Sequence, residues 1–179
     1  MFLFKSDKEK KAERLKELNY ENTPEFGFKG KNFLAKVLDI YDGDTITITI
    51  KVDEEYCRIN CRLSGIDSPE LRSQDEAEKN AAKLSRSHLS FLLLNEKMKT
   101  DITREEIRKI CGTLNSIVTI KCLEFDKYGR LLVEIWNNSI NINEKMVEDG
   151  FAGKYDGGTK GNWRDYFRHV QALTSESKE

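Results

Sequence analysis

Proline, histidine and long apolar runs are scarce in this chain of 179 residues, which contains 2 Pro and 2 His. No apolar run approaches the roughly 18 residues that a membrane-spanning helix needs. The first residues hold only a brief apolar start before charges begin, which is too short for the apolar region of a secretory signal. We therefore expect an intracellular protein with no membrane span.

An excess of charge of either sign is also lacking. The chain has 30 Lys plus Arg against 31 Asp plus Glu, a formal net charge of −1 and a pI near 6.2. Nucleic-acid-binding proteins are usually basic, so this balance by itself argues against a nucleic-acid partner. The 9 Phe, 6 Tyr and 2 Trp nevertheless supply the aromatic residues of a folded core and argue against a disordered chain.

Cysteines are few, and their spacing does not form a metal motif. Cys57, Cys61, Cys111 and Cys122 lack the tight pairing of a zinc site. Cys57 and Cys61 lie four apart in a strand-like segment, about 13 Å at the rise of an extended chain, which is too far for a disulfide. We expect reduced thiols that pack as small apolar side chains.

Strand-like segments follow a charged N-terminal arm. Residues 1–30 begin with a capping box at Ser6 and Glu9 and carry few apolar side chains, so we expect an arm outside a folded domain at 31–179. The strict alternation of Thr and Ile over 45–50 is typical of a strand with one buried face. Strands are predicted at Phe33–Ile40, Thr45–Val52, Tyr56–Leu63, Ile117–Phe125 and Leu131–Trp136.

Helical spacing of apolar residues appears between and after the strands. Helices are predicted at Gln74–Leu94 and Asn141–Asp149, and a short amphipathic segment from Trp163 to about Leu173. Three strands, a helix, two strands and final helices form the order of a small closed barrel. The predicted fold class is α+β: a five-stranded OB-fold β-barrel with helices after strand 3 and after the barrel.

Three polar clusters lie at ends of the predicted strands. They are Asp42-Gly43-Asp44-Thr45, Arg62-Leu63-Ser64-Gly65-Ile66-Asp67-Ser68-Pro69-Glu70 and Asp126-Lys127-Tyr128-Gly129-Arg130. Each alone has a structural explanation, because turns favour these residue types, and Asp-Gly in particular predicts a tight hairpin turn. The first cluster is not an EF-hand, since Thr47 and Asp53 stand where that loop needs Gly and Glu.

Taken together, the clusters carry the chemistry of phosphodiester cleavage. Asp44, Asp67 and Glu70 offer the carboxylate oxygens that hard divalent cations prefer. Arg62 and Arg130 can each bind a phosphate through two N–H groups. A metal that polarises a phosphoryl oxygen, a carboxylate that activates water and two cations that bind the developing charge suffice for in-line attack.

In this combination and order, the three clusters resemble the active-site segments of the staphylococcal nuclease (thermonuclease) family. The resemblance runs from about Phe33 to Lys154, and the helix Asn141–Asp149 followed by Phe151-Ala152 is also similar to the family. It implies a calcium-dependent phosphodiesterase, an endonuclease on an OB-fold that cuts DNA and RNA and leaves 3′-phosphate ends.

The resemblance implies a calcium site at the strand ends. Asp44 and Asp67 would bind Ca²⁺ through their carboxylates and Ser68 through its backbone carbonyl, where threonine is commoner in the family. Asp42 would not bind Ca²⁺ directly but would support the residues that do. Part of the acidic count would thus serve the cation, which weakens the objection that net charge raises. Substrate binding should then rely on the metal more than on a wide basic surface.

The resemblance also assigns residues to the substrate. Glu70 would be the general base for the attacking water, and Arg62 and Arg130 would bind the scissile phosphate and stabilise its transition state. Lys127 and Tyr128 would contact the terminal phosphate of the substrate.

Several segments depart from the family pattern. An insertion at about 95–113 carries its own helical signature. In place of the family's long C-terminal helix, this chain has a glycine-rich segment and then the short amphipathic segment from Trp163 to about Leu173. Tyr155 could stack on a base in that region. Trp163 and Phe167 are expected to pack against the barrel.

Two other functions compete with an active nuclease. One is a degenerate nuclease-like domain that binds nucleic acid or protein without cleavage, and the retained acids and arginines argue against it. The other is a general OB-fold binder of single strands, which needs aromatic and basic residues along the barrel strands. The strand surfaces here carry mostly Thr, Asn and Glu, which disfavours that function.

Overall fold

The structure of the protein, a computed structural model, describes residues 6–114 and 116–169. Its strands are β1 (Asn32–Ile40), β2 (Thr45–Val52), β3 (Glu55–Leu63), β4 (Ile66–Asp67), β5 (Ile117–Phe125), β6 (Leu131–Asn137), β7 (Ile140–Asn141) and β8 (Gly153–Lys154). Its helices are α1 (Asp7–Lys16), α2 (Glu76–Leu94), α3 (Arg104–Thr113), α4 (Ile142–Glu148) and α5 (Trp163–Tyr166).

Five strands close into a mixed barrel in the order β3-β2-β1-β5-β6. The neighbouring pairs in that order are antiparallel, and β3 then pairs in parallel with β6, with Arg62 opposite Leu132. This pairing leaves neither β3 nor β6 as an open edge along that stretch. The predicted α+β class and five-stranded OB-type barrel are confirmed.

The alternation of the strands builds the core. Ile46, Ile48 and Ile50 of β2 are almost completely buried inside the barrel, as the strict Thr-Ile repeat predicts. Thr47, on the other face of β2, is buried as well, and its hydroxyl donates a 2.9 Å hydrogen bond to Asn60 Oδ1 of β3. On the polar face of β2, the Thr47 hydroxyl therefore has its hydrogen-bond partner in the neighbouring strand β3 rather than in water alone.

The helices agree with the sequence patterns except at their ends. Asp75 caps α2 through a 2.9 Å bond from the Ala77 amide, so the helix begins two residues later than predicted. Beyond α4, the predicted amphipathic segment is a helix only over Trp163–Tyr166. Its continuation from 170 to about 173 lies outside the described residues.

The last helix packs on α2 rather than on the barrel itself. Trp163 and Phe167 are buried with Ala81 of α2, and their rings meet edge to face at 5.9 Å between centroids. The prediction that Trp163 and Phe167 pack against the barrel is wrong, because the pair packs against α2 instead. The amphipathic spacing identified the buried face but not the surface that covers it.

Two short helices, α1 and α3, begin with the predicted capping boxes. Helix α1 begins after Ser6 and buries none of its residues, whereas Phe28 already belongs to the barrel core. Helix α3, which begins after Thr103, packs Ile107 and Cys111 into the core. The division of the chain at residue 30 and the insertion at 95–113 remain predictions about domain organisation.

Within the described residues, the cysteines are unpaired thiols, as their spacing predicts. The four cysteines are free, and burial raises the pKa of Cys61 to about 12, so it packs as a thiol. None of the described helices is long and apolar enough to cross a bilayer.

Candidate active site

The loop between β1 and β2 is held close to helix α2, and Gly43 makes this possible. A Cβ at Gly43 would lie 2.7 Å from the Cβ atoms of both Ser68 and Ser85. Gly43 has no positive φ, so it does not serve the mirror-image hairpin turn that Asp-Gly predicts. Its role is close approach of the backbone, which brings Asp42 and Asp44 beside the segment that follows β4.

Arg62 joins the first two clusters at the end of β3. Its terminal nitrogens donate at 2.6 Å to Asp44 Oδ2 and at 2.9 Å to Asp67 Oδ1, and it also bonds the carbonyl of Ile66 at 3.1 Å. All three charged side chains are nearly buried, with exposures of 11% for Arg62, 4% for Asp44 and 7% for Asp67. The two acids are thus fixed on either side of one guanidinium.

A residue that the sequence analysis did not identify completes this network. Lys160 Nζ lies 2.9 Å from Asp67 Oδ1 and also bonds Glu70 Oε1. Burial opposes protonation, but the hydrogen bonds with Glu70 and Asp67 raise the pKa of Lys160 to about 12. Asp67 therefore binds two cationic side chains, while Glu70 remains half-exposed.

The third cluster brings Arg130 to the same cleft. Arg130 Nε binds Asp126 Oδ2 at 2.8 Å and Nη1 reaches Thr45 Oγ1 at 3.3 Å. Thr45 in turn donates to Asp44 Oδ1 at 2.8 Å, which links the hairpin of the third cluster to the first. The exposed ring of Tyr128 has the cationic groups of Lys127 and Arg130 at 5.1 and 5.6 Å from its centroid.

These side chains surround one open cleft of about 790 Å³. Of the predicted site residues, those that line it are Asp42, Asp44, Arg62, Ser68, Glu70, Lys127, Tyr128, Arg130 and Tyr155. Asp67 reaches the site through its bonds to Arg62 and Lys160. The Tyr155 ring lies 5.6 Å from the Arg62 guanidinium and its hydroxyl bonds the Gly158 carbonyl at 2.9 Å. The three sequence clusters therefore meet in space.

The buried acids of the site are crowded. Burial and the neighbouring Asp44 raise the pKa of Asp42 to about 8. Burial also raises the pKa of Asp44, against the opposing effect of Arg62. Burial is the largest cause of both shifts, so the site disfavours the ionised acids, and a cation bound beside them would oppose that effect.

The donor set has the chemistry of a hard-cation site, but its oxygens are turned to other partners. Asp44, Asp67, Glu70 and the Ser68 carbonyl are the oxygen ligands that Ca²⁺ accepts. Over 6–114 and 116–169, no three His, Cys, Asp or Glu side chains converge as a ready metal site. The carboxylates instead bind Arg62 and Lys160, so a metal would have to redirect them.

Three cleft residues escaped the sequence analysis. Tyr41 and Arg72 line the cleft, and Lys160 enters it from the glycine-rich loop before α5. No motif marks Lys160, because the position of a glycine-rich loop depends on tertiary contacts rather than on local pattern. Tyr41 directly precedes the first cluster and Arg72 follows the second by two residues, which is the only sequence signal they carry.

Comparison with known proteins agrees with the geometry. The model of the staphylococcal nuclease homologue family matches residues 60–179, and the chain belongs to this family. An uncharacterised protein of Methanocaldococcus jannaschii is 27% identical over 89% of this chain and 76% of its own length. The thermonucleases of Staphylococcus hyicus and Staphylococcus intermedius are 27% and 26% identical over 65% and 69% of this chain.

The match to the two thermonucleases is partial. This chain spans 56% of the length of the Staphylococcus hyicus enzyme and 60% of that of the Staphylococcus intermedius enzyme. The family match begins at residue 60, within β3, and so includes Arg62, Asp67, Glu70 and Arg130 but not the first cluster. Asp44 is tied to the matched region by its bond from Arg62, and Asp42 accepts a 3.1 Å bond from the Asp44 amide.

Proposed function

We propose that this protein is a calcium-dependent nuclease that hydrolyses phosphodiester bonds of DNA and RNA and leaves 3′-phosphate ends. The observation that carries the proposal is the convergence of three separate clusters, with their acids and two arginines, on one open cleft in a chain of a nuclease-like family. Phosphodiester hydrolysis is the chemistry that uses all of them together.

The metal would be held by oxygen ligands alone. Asp44 and Asp67 would supply carboxylates and Ser68 its carbonyl, with Asp42 hydrogen-bonded behind Asp44 through the 3.1 Å contact of the Asp44 amide. Ca²⁺, when bound, polarises a phosphoryl oxygen and adds positive charge beside the arginines. Arg62 would then exchange part of its bonding to the two acids for bonding to phosphate.

The chain's own groups would carry the proton and the developing charge. Glu70 is 51% exposed at the cleft, so the attacking water can reach its carboxylate. That carboxylate would accept a proton from the water. The water oxygen forms the new bond to phosphorus as the bond to the 5′ oxygen breaks, and the leaving oxygen takes a proton from solvent. Arg62 and Arg130 would bind the phosphoryl oxygens, whose negative charge increases in the transition state.

Lys127, Tyr128 and Tyr155 would contact the rest of the substrate. Lys127 and Tyr128 lie together on the hairpin between β5 and β6, where an exposed ring and an ammonium can meet a terminal phosphate and sugar. Tyr155 lies beside Arg62 and presents an aromatic face for a base. These three residues would place the chain relative to the scissile bond rather than take part in the bond change.

The proposal is tested by cleavage of single-stranded DNA and of RNA at alkaline pH with Ca²⁺ and with EDTA. We expect cleavage that stops with the chelator. Glu70→Gln and Arg130→Ala should each lower turnover, by about 10²–10³-fold if each removes one group that acts in the transition state. Glu54→Gln is the matched control, because Glu54 is 93% exposed at the far end of the β2–β3 hairpin.

The outcomes separate an enzyme from a binding domain. Absence of calcium-dependent cleavage would refute the enzyme, and binding of the same oligonucleotides without cleavage would favour the degenerate domain. Near wild-type rates in both cleft variants would show that the residue assignment is wrong even if the protein cuts nucleic acid.

A further inference from the structure

Two arginines of the inserted helix α3 are fixed on a buried acid of the barrel. Arg104 Nε and Arg108 Nε donate to Asp39 Oδ2 at 2.8 and 2.9 Å. Asp39 is 4% exposed in its side chain, whereas the two arginine side chains are 48% and 57% exposed. The buried carboxylate therefore orients both guanidinium groups, and their outer ends face solvent.

Arg104 adjoins the rim of the cleft through one aromatic ring, and Arg108 lies beside Arg104 because both bind Asp39. The guanidinium carbon of Arg104 lies 5.1 Å from the centroid of Tyr41, and that of Arg72 lies 5.9 Å from it. Tyr41 and Arg72 both line the cleft that contains Asp42 and Asp44. Cationic side chains from α3 and from the loop after β4 thus lie around a tyrosine next to Asp42 and Asp44.

The group has spare positive charge and spare donors. In the described part of the chain, Asp39 is the one carboxylate that pairs with this group of three guanidinium groups, and it pairs only with Arg104 and Arg108. Arg72 is exposed and pairs with no carboxylate among the described residues, and the terminal nitrogens of Arg104 and Arg108 donate to no other described residue. The ends of a guanidinium suit two-point binding of phosphate.

We propose that Tyr41, Arg72, Arg104 and Arg108 form a second phosphate-binding subsite, which holds the nucleic-acid strand beyond the scissile bond. The inference rests on the proposed nuclease function for its ligand. The subsite binds the strand through its phosphates and is indifferent to base sequence. Since Asp39 and Tyr41 already hold the arginines in place, less side-chain entropy is lost when phosphate binds.

The subsite gives the insertion a function. Helix α3 is docked on the core through Ile107 and Cys111 and reaches β1 through the Asp39 bonds. This rigid attachment places its arginines at a constant position relative to Asp42. The insertion thus extends the cleft on the side of Tyr41, while Lys127 and Tyr128 belong to the β5–β6 hairpin.

The test is the salt dependence of binding to a fluorescein-labelled single-stranded DNA or RNA of 12 nucleotides, measured by fluorescence anisotropy with EDTA present so that no cleavage occurs. Each lost phosphate contact lowers the slope of log affinity against log salt by about 0.7 for single strands. Arg72→Ala should therefore weaken binding and lower the slope by about that amount. Its melting temperature should stay near wild type, since the described contacts of Arg72 are confined to the Tyr41 ring.

The α3 arginines need a variant that leaves no buried charge unpaired. Arg104→Gln and Arg108→Gln are combined with Asp39→Asn, because the two substitutions alone would strand a buried carboxylate. Lys109→Ala is the matched control on the same helix, where Lys109 pairs with Glu105 at 3.3 Å. The triple variant should lower the slope by more than Arg72→Ala does, and Lys109→Ala should leave it unchanged.

Failure of this inference and failure of the proposed function are separable. If wild-type protein cuts nucleic acid but Arg72→Ala and the triple variant keep its salt slope, the subsite is refuted and the nuclease stands. If Arg72→Ala and the triple variant lower the slope as expected but wild type never cuts, the subsite stands and the nuclease is refuted. Equal loss of slope in Lys109→Ala would also overturn the subsite, because general charge would then explain the effect.

Discussion

Replacing Gly43 with alanine tests whether close packing behind the acid loop builds the site. The new Cβ would sit 2.7 Å from the Cβ atoms of Ser68 and Ser85, where ordinary contact begins near 3.4 Å. The loop must therefore move by about 0.7 Å, because both serines are buried and Ser85 is tied to the Phe151 carbonyl by a 2.6 Å bond. Forcing a methyl group into a packed site of this kind costs about 1–3 kcal/mol of folding free energy.

Urea denaturation measures this cost directly. We expect Gly43→Ala to unfold at lower urea, with a melting temperature lower by about 2–12 °C if each kcal/mol shifts it by 2–4 °C. Gly112→Ala in α3 is the control, since a Cβ there meets nothing within 4 Å and alanine favours a helix. In a Ser85→Gly background the same change should cost less. Wild-type stability of Gly43→Ala would refute the packing argument.

Two further predictions concern charged groups. Lys160→Met removes the ammonium from Asp67 and Glu70, so Ca²⁺ affinity measured by calorimetry should rise about 2–30-fold, the equivalent of two partly exposed ion pairs; unchanged affinity would show that the lysine does not compete with the metal. Burial lowers the pKa of His88 despite its 2.8 Å contact with Asp149, so the unfolded state binds more protons and unfolding free energy should fall as pH drops below about 6.5. The charged or titratable groups that influence His88 are Asp149, Lys145 and His169. His88→Gln should flatten that part of the stability curve, and an equally steep curve in the variant would contradict the assignment.

The barrel could be predicted from the sequence because its strands alternate. Each of the five predicted strands is present within a residue or two, since the pattern of buried side chains depends on the local chain alone. The short pairs β4–β8 and β6–β7 were not predicted. Two-residue strands carry no periodicity, and they form because tertiary contacts bring the chain segments together.

The clusters of the site could be predicted, but their support could not. Asp-Gly predicted a tight hairpin turn, and Gly43 does lie between the paired strands β1 and β2, but its close approach to Ser68 and Ser85 was not predicted. A neighbour 42 residues along the chain cannot be read from a dipeptide. The same limit hid Lys160 and Arg104, whose partners come from distant segments.

The charge balance of the chain acquires a different meaning in three dimensions. A net charge of −1 led to the hypothesis that substrate binding depends on the metal more than on a basic surface. The structure, however, buries Asp39 beneath two half-exposed arginines, so that an acid counted in the total adds little negative charge at the surface. Asp44 and Asp67 are likewise turned inward to Arg62. Because Asp39, Asp44 and Asp67 are more buried than the cations paired with them, their negative charges are less exposed to an approaching strand than the composition indicates. The proposed dependence of cleavage on the metal therefore does not require binding to depend on the metal to the same degree.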